Sequence, residues 1–347
     1  MQYPLVVLAQ VLVAPCIKAA RRWMLWGVAL CCAAACAPFV VPPSSDSAQP
    51  RFEAVTYVAN DGARLPLRAW EPAARPTAVV LALHGFGDYA NAFDVAGTQL
   101  AAAGIRTVAY DQRGFGASPQ RGYWAGVDRM VDDAADAVQL LSKTYPGAPI
   151  YLLGESMGGA IAMVLAAERP SVPLAGVVLV APAVWGRRSM TALERNALWL
   201  AAHTVPWFPL TGQGLNVQPS DNFAMLRKLS QDKLILHHFR ADLVWGLANA
   251  MDRAVAAAAH IQLPSLFLYG LRDELVPLAP TRRALMMVPA DKRRVAVYPS
   301  GFHMLLRDLG GKEVVDDLAA WVKAPSAPLP SGADRSGIER LLTTARR

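Results

Sequence analysis

The fold is decided by residues 150–159, which read IYLLGESMGG. The first four, Ile150–Leu153, form an apolar run of strand length, and a helical pattern follows over Gly158–Glu168. Between them, Ser156 lies in a G-x-S-x-G motif, whose glycines permit a tight strand-to-helix turn that raises the serine hydroxyl above a sheet. The motif therefore predicts that Ser156 is a nucleophile. The alternative is a plain turn whose serine caps the helix.

Short apolar runs rich in strand-forming residues recur along the chain and alternate with helical patterns. The other runs are Ala78–Leu83, Ile105–Tyr110, Val177–Val180, Leu266–Tyr269 and Arg294–Val297. The other helical patterns are Ala92–Ala103 and Val127–Tyr145. This alternation predicts an α/β fold with a mostly parallel central sheet flanked by helices. Ahead of it, Phe52–Val58 and Leu65–Trp70 lie on either side of Asn60-Asp61-Gly62 and predict a hairpin.

Residues 184–258 interrupt the alternation, because they are helical in pattern and rich in aromatic residues. We interpret them as an inserted helical cap, so that the α/β core comprises residues 52–183 and 259–323. A cap over the edge of a sheet encloses a cavity, and apolar walls there would select an apolar ligand. Residues 324–347 are expected to form a flexible C-terminal tail.

The N-terminus has the features of an export signal. Arg21 and Arg22 precede the apolar run Trp23–Ala35, which is too short to span a bilayer. The run ends in small residues immediately before Cys36. This pattern resembles the lipobox of bacterial lipoproteins, although Ala33 stands where that motif usually has Leu.

The resemblance to a lipobox implies a signal peptide over residues 1–35 and acylation of the Cys36 thiol. Residues 36–51, which are rich in Pro and Ser, would then form a tether between membrane and domain. The protein is accordingly expected to be exported to the bacterial cell envelope and lipid-anchored to a membrane. The alternative is an uncleaved signal anchor in which Cys36 has no role.

The composition excludes several classes of protein. The chain has 347 residues, of which 54% are hydrophobic, and it carries 34 basic against 27 acidic residues. That length and apolar content fit a domain with a large core and exclude a disordered chain. The basic residues form no stripe with interleaved aromatics, so nucleic acid is not expected as a partner. All four cysteines lie within the first 36 residues, so neither a disulfide nor a thiolate metal site is expected in the folded domain.

A serine hydroxyl becomes a good nucleophile only when a base accepts its proton. In proteins with this motif the acid and then the histidine follow the nucleophile along the chain. Of the six histidines, His303 follows the last apolar run and so lies at the sheet edge that carries Ser156. Asp273 follows the preceding apolar run and is the expected acid. Glu274 is the alternative acid, and helix capping is the alternative role of Asp273.

Two backbone N–H groups are expected to stabilise the negative charge that develops on the substrate. Met157 follows the nucleophile directly and supplies one of them. The other is assigned to Phe86, because Gly85 and Gly87 allow that loop to approach the nucleophile closely. His84, at the start of the loop, is expected to brace it.

Together these motifs resemble the α/β-hydrolase superfamily, and more narrowly its monoacylglycerol lipase and lysophospholipase branch. The matching segments keep the family's order and are His84-Gly85, Tyr110–Gly116, Gly154–Gly159, Asp273–Pro277 and Gly301–His303. The resemblance runs from about Val55 to Val322, and the family often has His where Glu155 stands. In the segment after Tyr110, Asp111 and Arg113 are expected to have structural roles.

The resemblance implies an α/β-hydrolase fold and a serine esterase that cleaves lipids with one acyl chain. Ser156, Asp273 and His303 would be its catalytic triad, an acyl-enzyme its intermediate, and no cofactor or metal would be needed. The expected partners are an acyl ester or lipid substrate and a membrane, and nothing indicates an oligomeric state. The alternatives are a serine aminopeptidase or acyltransferase with the same triad, and a non-catalytic lipid-binding lipoprotein. Acidic residues are scattered through the cap rather than gathered, which argues against a peptidase.

Overall fold

The computed structural model describes residues 37–44, 46–211 and 217–344. The predicted signal peptide and the predicted attachment site Cys36 lie outside the described residues. Among the helices that the model does describe, none has both the length and the hydropathy needed to cross a membrane.

A nine-stranded sheet forms the centre of the described structure. The strands of the described residues are β1 (Arg51–Glu53), β2 (Thr56–Val58), β3 (Arg64–Trp70), β4 (Ala78–Leu83), β5 (Ile105–Tyr110), β6 (Ile150–Glu155), β7 (Gly176–Val180), β8 (Pro209–Leu210), β9 (Phe239–Arg240), β10 (Ser265–Gly270) and β11 (Arg293–Tyr298). The spatial order in the large sheet is β1-β2-β3-β5-β4-β6-β7-β10-β11. From β5 to β11 neighbouring strands run parallel, whereas β1, β2 and β3 are antiparallel. The predicted mostly parallel sheet is confirmed.

Helices cover both faces of this sheet. They are α1 (Asp94–Ala102), α2 (Val127–Thr144), α3 (Met157–Glu168), α4 (Ala192–Thr204), α5 (Phe223–Gln231), α6 (Ala241–Ala257), α7 (Leu278–Met287), α8 (Gly311–Lys323) and α9 (Gly337–Thr343). Helices α2, α3 and α7 contribute to the apolar layer on one face. Helices α1 and α8 contribute to the layer on the other face.

Strand β4 shows why the sheet is buried on both sides. Val79, Leu81 and Leu83 belong to one apolar layer, and the alternating residues of the strand, Ala78, Val80 and Ala82, belong to the other. Side chains alternate across a strand, so a continuous apolar run supplies two layers at once. Each fully buried aliphatic side chain contributes about 1.5 to 3 kcal/mol of transfer free energy, which makes these layers the main source of stability.

The predicted strands of the parallel sheet agree with the observed ones to within two residues at each end. The predicted hairpin is confirmed, because β2 and β3 pair antiparallel. The predicted extent of its first strand, Phe52–Val58, was wrong, because the chain reverses after Glu53 and forms two short antiparallel strands, β1 and β2. The turn leaves Val55 exposed and lets its carbonyl oxygen accept a hydrogen bond from Leu67 N at 2.9 Å. Tyr57 then points into the core, where it is fully buried.

Within residues 184–258 the structure contains the helices α4, α5 and α6. It also contains the two-residue strands β8 and β9, which pair antiparallel and which the helical interpretation of this segment did not predict. Helix α6 packs on the core: a Cβ on Gly246 would overlap the indole ring of Trp124.

The segment predicted as a tether contacts the core. Val40 forms a parallel bridge with Trp124, and Val41 N donates to the Trp124 carbonyl oxygen at 2.8 Å. The ring of Phe39 lies edge-on to that of Tyr123, with 5.6 Å between the centroids.

The C-terminal residues 324–344 pack against the core, which differs from the flexible tail expected from the sequence. Val297 N, on the edge strand β11, donates to the Ala333 carbonyl oxygen at 3.2 Å. Leu341 in helix α9 is fully buried. An edge strand leaves backbone groups that need partners, and the C-terminal segment supplies one here.

Candidate active site

Ser156 occupies the turn between strand β6 and helix α3. Its backbone has φ 52° and ψ −115°, a left-handed conformation that costs a residue other than glycine about 1 to 3 kcal/mol. Neighbouring strands hold the turn in place, since Ser156 N donates to the Val180 carbonyl oxygen at 3.0 Å and Ala183 N donates to the Ser156 carbonyl oxygen at 2.9 Å. Ser156 is partly exposed, which is the arrangement that G-x-S-x-G predicts.

The glycines around this serine are required by close backbone contacts. A Cβ on Gly158 would overlap the carbonyl oxygen of Leu83 in strand β4. A Cβ on Gly154 would overlap the carbonyl oxygen of Gly158. Only hydrogen atoms at these two positions allow helix α3 to begin so close to the sheet.

His303 and Asp273 are joined by a hydrogen bond, with 2.8 Å between His303 Nδ1 and Asp273 Oδ2. Both side chains are buried. The other carboxylate oxygen of Asp273 accepts hydrogen bonds from Leu275 N at 2.8 Å and Val276 N at 2.9 Å. A carboxylate held in this way fixes the proton of the histidine on Nδ1 and leaves Nε2 free to act as a base.

The surroundings of His303 favour its charged form. Burial by itself opposes an imidazolium ion, but the charge and the hydrogen bond of Asp273, aided by the charge of Glu155, raise the pKa of His303 above its ordinary value. Glu274, the alternative acid, is exposed, and its carboxylate accepts a hydrogen bond from Gln218 N at 2.9 Å. The geometry therefore favours Asp273 over Glu274.

Ser156, Asp273 and His303 follow strands β6, β10 and β11, whose carboxyl ends lie at one edge of the sheet. The loops after β10 and β11 are tied together, because Arg272 N donates to the Gly301 carbonyl oxygen at 2.9 Å. The hydrogen bonds of the described residues include none between the Ser156 hydroxyl and His303. Such bonds are often long before substrate binds, so the catalytic role of Ser156 stays a prediction.

The loop from His84 to Asp88 lies directly against the turn. A Cβ on Gly85 would lie 3.3 Å from Ser156 Cβ and 4.0 Å from Ser156 Oγ. Within the described part of the chain, the backbone N–H groups of Phe86 and Met157 have no hydrogen-bond acceptor. Two free N–H groups beside one serine are the donors that an oxyanion needs.

His84 braces this loop, as expected. Gln112 N donates to His84 Nε2 at 2.9 Å, Gln112 Nε2 donates to the His84 carbonyl oxygen at 2.8 Å, and His84 Nδ1 lies 2.8 Å from the Gly85 carbonyl oxygen. Nε2 accepts, so Nδ1 carries the proton and the ring is neutral. Complete burial lowers the pKa of His84 and keeps its ring neutral. Because both ring nitrogens are already engaged in hydrogen bonds, neither is free to accept the proton of Ser156.

Asp111 and Arg113 have structural roles. Asp111 Oδ1 accepts from Ala90 N at 3.0 Å. Arg113 forms ion pairs with Asp61 at 2.7 Å and Asp133 at 2.6 Å, which tie its loop to the N-terminal strands and to helix α2. Burial raises the pKa of Asp133 to about 6, even though Arg113 opposes the shift.

The cap contacts the loop that carries Phe86. Leu236 N donates to the Gly87 carbonyl oxygen at 2.8 Å, and the ring of Phe239 lies 4.7 Å from that of Phe86. Beside this contact is a cavity of about 260 Å³, whose lining is largely apolar and includes Phe86, Leu226, Leu229, Ile235, Leu236 and Met304. The cavity therefore lies between one candidate oxyanion donor and the residue that follows His303.

Three buried charged residues of the site were missed as a group by the sequence analysis. Arg307 lies 2.8 Å from the Asp88 carboxylate and 3.5 Å from the Glu155 carboxylate. A signal was available, since Arg307 and Asp308 interrupt the apolar residues that follow His303. Nothing in the sequence indicated that Arg307 would contact Asp88 and Glu155.

Comparisons with known proteins show the family to which the chain belongs. The model of the Hydrolase_4 family, described as serine aminopeptidase S33, matches residues 74–310. Monoglyceride lipase from Mus musculus is 30% identical over 280 residues, which cover 78% of this chain and 91% of that protein. Monoacylglycerol lipase from Mycolicibacterium smegmatis is 26% identical over 267 residues, which cover 75% of this chain and 93% of that protein.

A solved structure gives the same fold. The soluble variant of monoglyceride lipase from Saccharomyces cerevisiae, in complex with a substrate analog, aligns with a TM-score of 0.66 and 20% identity over 81% of this chain and 98% of that chain. The fold and the comparisons define the class of protein, a carboxylic-ester hydrolase with the α/β-hydrolase fold. The chain belongs to the Hydrolase_4 family and is similar to its monoacylglycerol lipases.

Proposed function

We propose that this protein hydrolyses lipid esters with a single acyl chain, with Ser156 as nucleophile, His303 as base and Asp273 as the residue that orients the base. The observation that carries the proposal is the buried hydrogen bond of 2.8 Å between Asp273 and His303. It is supported by the strained turn that holds Ser156 at the same edge of the sheet.

In the proposed mechanism, Ser156 Oγ attacks the ester carbonyl carbon while its proton passes to His303 Nε2. The N–H groups of Met157 and Phe86 stabilise the negative oxygen of the tetrahedral intermediate. His303 then gives the proton to the leaving alcohol, and an acyl-enzyme remains on Ser156. Water, deprotonated by His303, attacks the acyl-enzyme to form a second tetrahedral intermediate. Its collapse breaks the bond to Ser156 Oγ and releases the fatty acid, while His303 returns the proton to Ser156 Oγ.

The proposed substrate class rests on the apolar cavity beside Phe86 and on the cap above it. A wall of Leu, Ile, Phe and Met side chains binds an acyl chain by burial of apolar surface. The curated relatives named monoglyceride or monoacylglycerol lipases support the same class.

A serine aminopeptidase is the second candidate, because the description of the family names that activity. Such an enzyme needs a free carboxylate in the cap to bind the substrate ammonium group. All five acidic residues of the cap accept hydrogen bonds from this chain's own groups, and they are scattered along the segment; they are Glu194, Asp221, Asp232, Asp242 and Asp252. The described part of the cap thus favours an ester substrate.

The test compares four substrates with the full-length protein: 1-oleoylglycerol, lysophosphatidylcholine, p-nitrophenyl esters of graded chain length, and alanine p-nitroanilide. We expect hydrolysis of the first and of medium and long p-nitrophenyl esters, and no release of p-nitroaniline. Ser156→Ala should abolish turnover, while Ser326→Ala, at an exposed serine, should leave it unchanged. Preferred cleavage of the anilide would favour the peptidase. Transfer of the acyl group to an added alcohol rather than to water would favour an acyltransferase. Unchanged turnover by Ser156→Ala would refute the assignment of Ser156 as the nucleophile.

We also propose that the protein is anchored to a membrane of the cell envelope through an acylated Cys36. The support is the sequence pattern before Cys36 and the Pro/Ser-rich residues after it. Cys36→Ser should move the protein from the membrane fraction to the soluble fraction, and Cys31→Ser should not. Retention of the Cys36→Ser protein in the membrane fraction would contradict lipidation.

A further inference from the structure

Three loops of the candidate site meet at a buried group of charges, which we call the charge clamp: Asp88, Glu155 and Arg307. Their side chains are 8%, 2% and 9% exposed. Asp88 ends the loop that carries Phe86, and Glu155 immediately precedes Ser156 in the chain. Arg307 lies four residues after His303, so the clamp joins the loops that would supply oxyanion donor, nucleophile and base.

The clamp is not balanced in charge. Arg307 Nη2 lies 2.8 Å from Asp88 Oδ2 and 3.5 Å from Glu155 Oε2, so that two carboxylates share one guanidinium group. Glu155 Oε1 is buried and has no hydrogen-bond partner among the described residues. Burial raises the pKa of Glu155 above its ordinary value, and the charge of Arg307 opposes this shift only in part. A buried ion pair of this kind contributes little net stability, so its presence at the site calls for another explanation.

The charge of Glu155 also acts on His303. The charged groups around His303 are Asp273, Glu155 and Arg307, and the two carboxylates favour the imidazolium form while Arg307 opposes it. The charged groups around Glu155 are Arg307, Asp88, His303 and Asp308. Asp308 belongs to the same loop as His303 and holds it, because Asp308 accepts hydrogen bonds from Phe302 N at 2.7 Å and Ser220 Oγ at 2.6 Å.

We propose that Glu155 is a positioning residue that supplies a second negative charge and so stabilises the His303 imidazolium during the reaction. Arg307 links Glu155 to Asp88, and this link fixes the base and the nucleophile relative to the loop of Phe86. The proposal rests on the proposed function. His303 gains a positive charge each time it accepts the Ser156 proton, and fixed charges in a buried site stabilise such a change more strongly than water does. Because Arg307 lies closer to Asp88 than to Glu155, it neutralises the charge of ionised Glu155 only in part, and the remaining charge acts on the imidazole.

The test measures kcat and KM for a p-nitrophenyl ester against pH in the full-length protein and in Glu155→Gln, which keeps the shape of the side chain and removes its charge. His303 must be neutral to accept a proton, so activity falls as the pH drops through its pKa. Loss of the negative charge destabilises the imidazolium and lowers that pKa, so the acidic limb of the pH profile should move to lower pH. We expect kcat at the optimum to fall by about tenfold and KM to change by less than about twofold.

Two further variants separate an electrostatic role from a structural one. Glu155→Asp keeps the charge but shortens the side chain, and it should retain the acidic limb of the wild-type profile. Glu274→Gln removes a carboxylate of the same size that is exposed, and it should resemble the wild type.

Two outcomes would overturn the proposed role of Glu155. Glu155→Gln with a wild-type pH profile and kcat would overturn the proposal while leaving the proposed function intact, provided that Ser156→Ala is inactive. The proposal would also be overturned if Glu155→Asp shifted the acidic limb as far as Glu155→Gln, since the side-chain shape rather than the charge would then be responsible. Thermal unfolding of each variant identifies any loss of activity that is due to unfolding.

Discussion

The core and the cap use apolar residues in opposite ways. In the core, strands β4, β6, β7 and β10 are buried on both faces by helices of the same chain. In the cap, large apolar side chains face outward, and the most exposed are Leu193 at 79%, Phe223 at 65% and Trp207 at 57%. The fold accounts for the apolar residues of the core and leaves those of the cap available for contact with something else.

The same division applies to the candidate chemistry. Every group assigned to the reaction lies in the core, either on a loop or at the start of helix α3. The cap contributes most of the apolar cavity wall and the contact between Phe239 and Phe86. The core therefore provides the reaction, and the cap is the part that would meet an apolar substrate. Changes in the core should affect all esters alike, and changes on the cap surface should depend on the physical state of the substrate.

Asp273→Asn should have the largest effect. An amide can hydrogen-bond to His303 but carries no charge to stabilise the imidazolium, and it can favour the wrong tautomer. We expect kcat to fall by roughly a thousandfold or more for soluble and lipid esters alike. The measurement is steady-state hydrolysis of both, with Glu274→Gln as the matched control. Activity lost from the control instead would assign the acid to Glu274.

Gly158→Ala should have the next largest effect, because it should destabilise the folded protein. The added Cβ would overlap the Leu83 carbonyl oxygen in strand β4, and a backbone contact of this kind cannot be relieved by rotating a side chain. We expect a loss of more than about 2 kcal/mol in the free energy of unfolding, measured by urea denaturation.

A second glycine provides the control for the general effect of replacing glycine with alanine. Gly310→Ala adds its Cβ where there is no atom within 4 Å, and it should change stability by less than about 0.5 kcal/mol. Equal losses in both variants would show that helix α3 does not approach strand β4 as closely as the structure has it.

Leu193→Ser and Trp207→Ser should have the smallest effect, and a selective one. Both side chains are exposed on the cap, so stability and hydrolysis of dissolved p-nitrophenyl acetate should stay unchanged. Hydrolysis of 1-oleoylglycerol in mixed micelles should fall by roughly fivefold, because each substitution removes about 1 kcal/mol of apolar contact with the lipid surface. Val55→Ser, at an exposed residue of the core that is 70% accessible, is the control, and an equal loss in it would remove the distinction between the two regions.

The sequence predicts the core better than the cap for a physical reason. Periodicity and turn residues are local signals, and the strands of the parallel sheet and the turn at Ser156 depend on such signals. The pairing of β8 with β9 depends on contacts between distant segments. The reversal of the chain between β1 and β2 takes place at Ala54 and Val55, which are not residues that commonly mark a turn. Neither has a local signature strong enough to predict it.

The same limit applies to the candidate site. Chain order was enough to name Asp273 and His303, because acid and histidine follow successive strands of the sheet. The charge clamp could not be predicted, because Glu155 and Arg307 are separated by 152 residues and meet only when three loops converge. Similarly, the composition of residues 324–344 gave no sign that Ala333 would accept a hydrogen bond from strand β11.

The central claim is that His303 makes the Ser156 hydroxyl reactive. The most direct measurement is the rate and the position of labelling by a fluorophosphonate probe, determined by mass spectrometry of the digested protein. The account predicts a single adduct on the peptide that contains Ser156, formed at least about a hundredfold more slowly in His303→Ala. An adduct on a different residue, or equally fast labelling of Ser156 without His303, would contradict it.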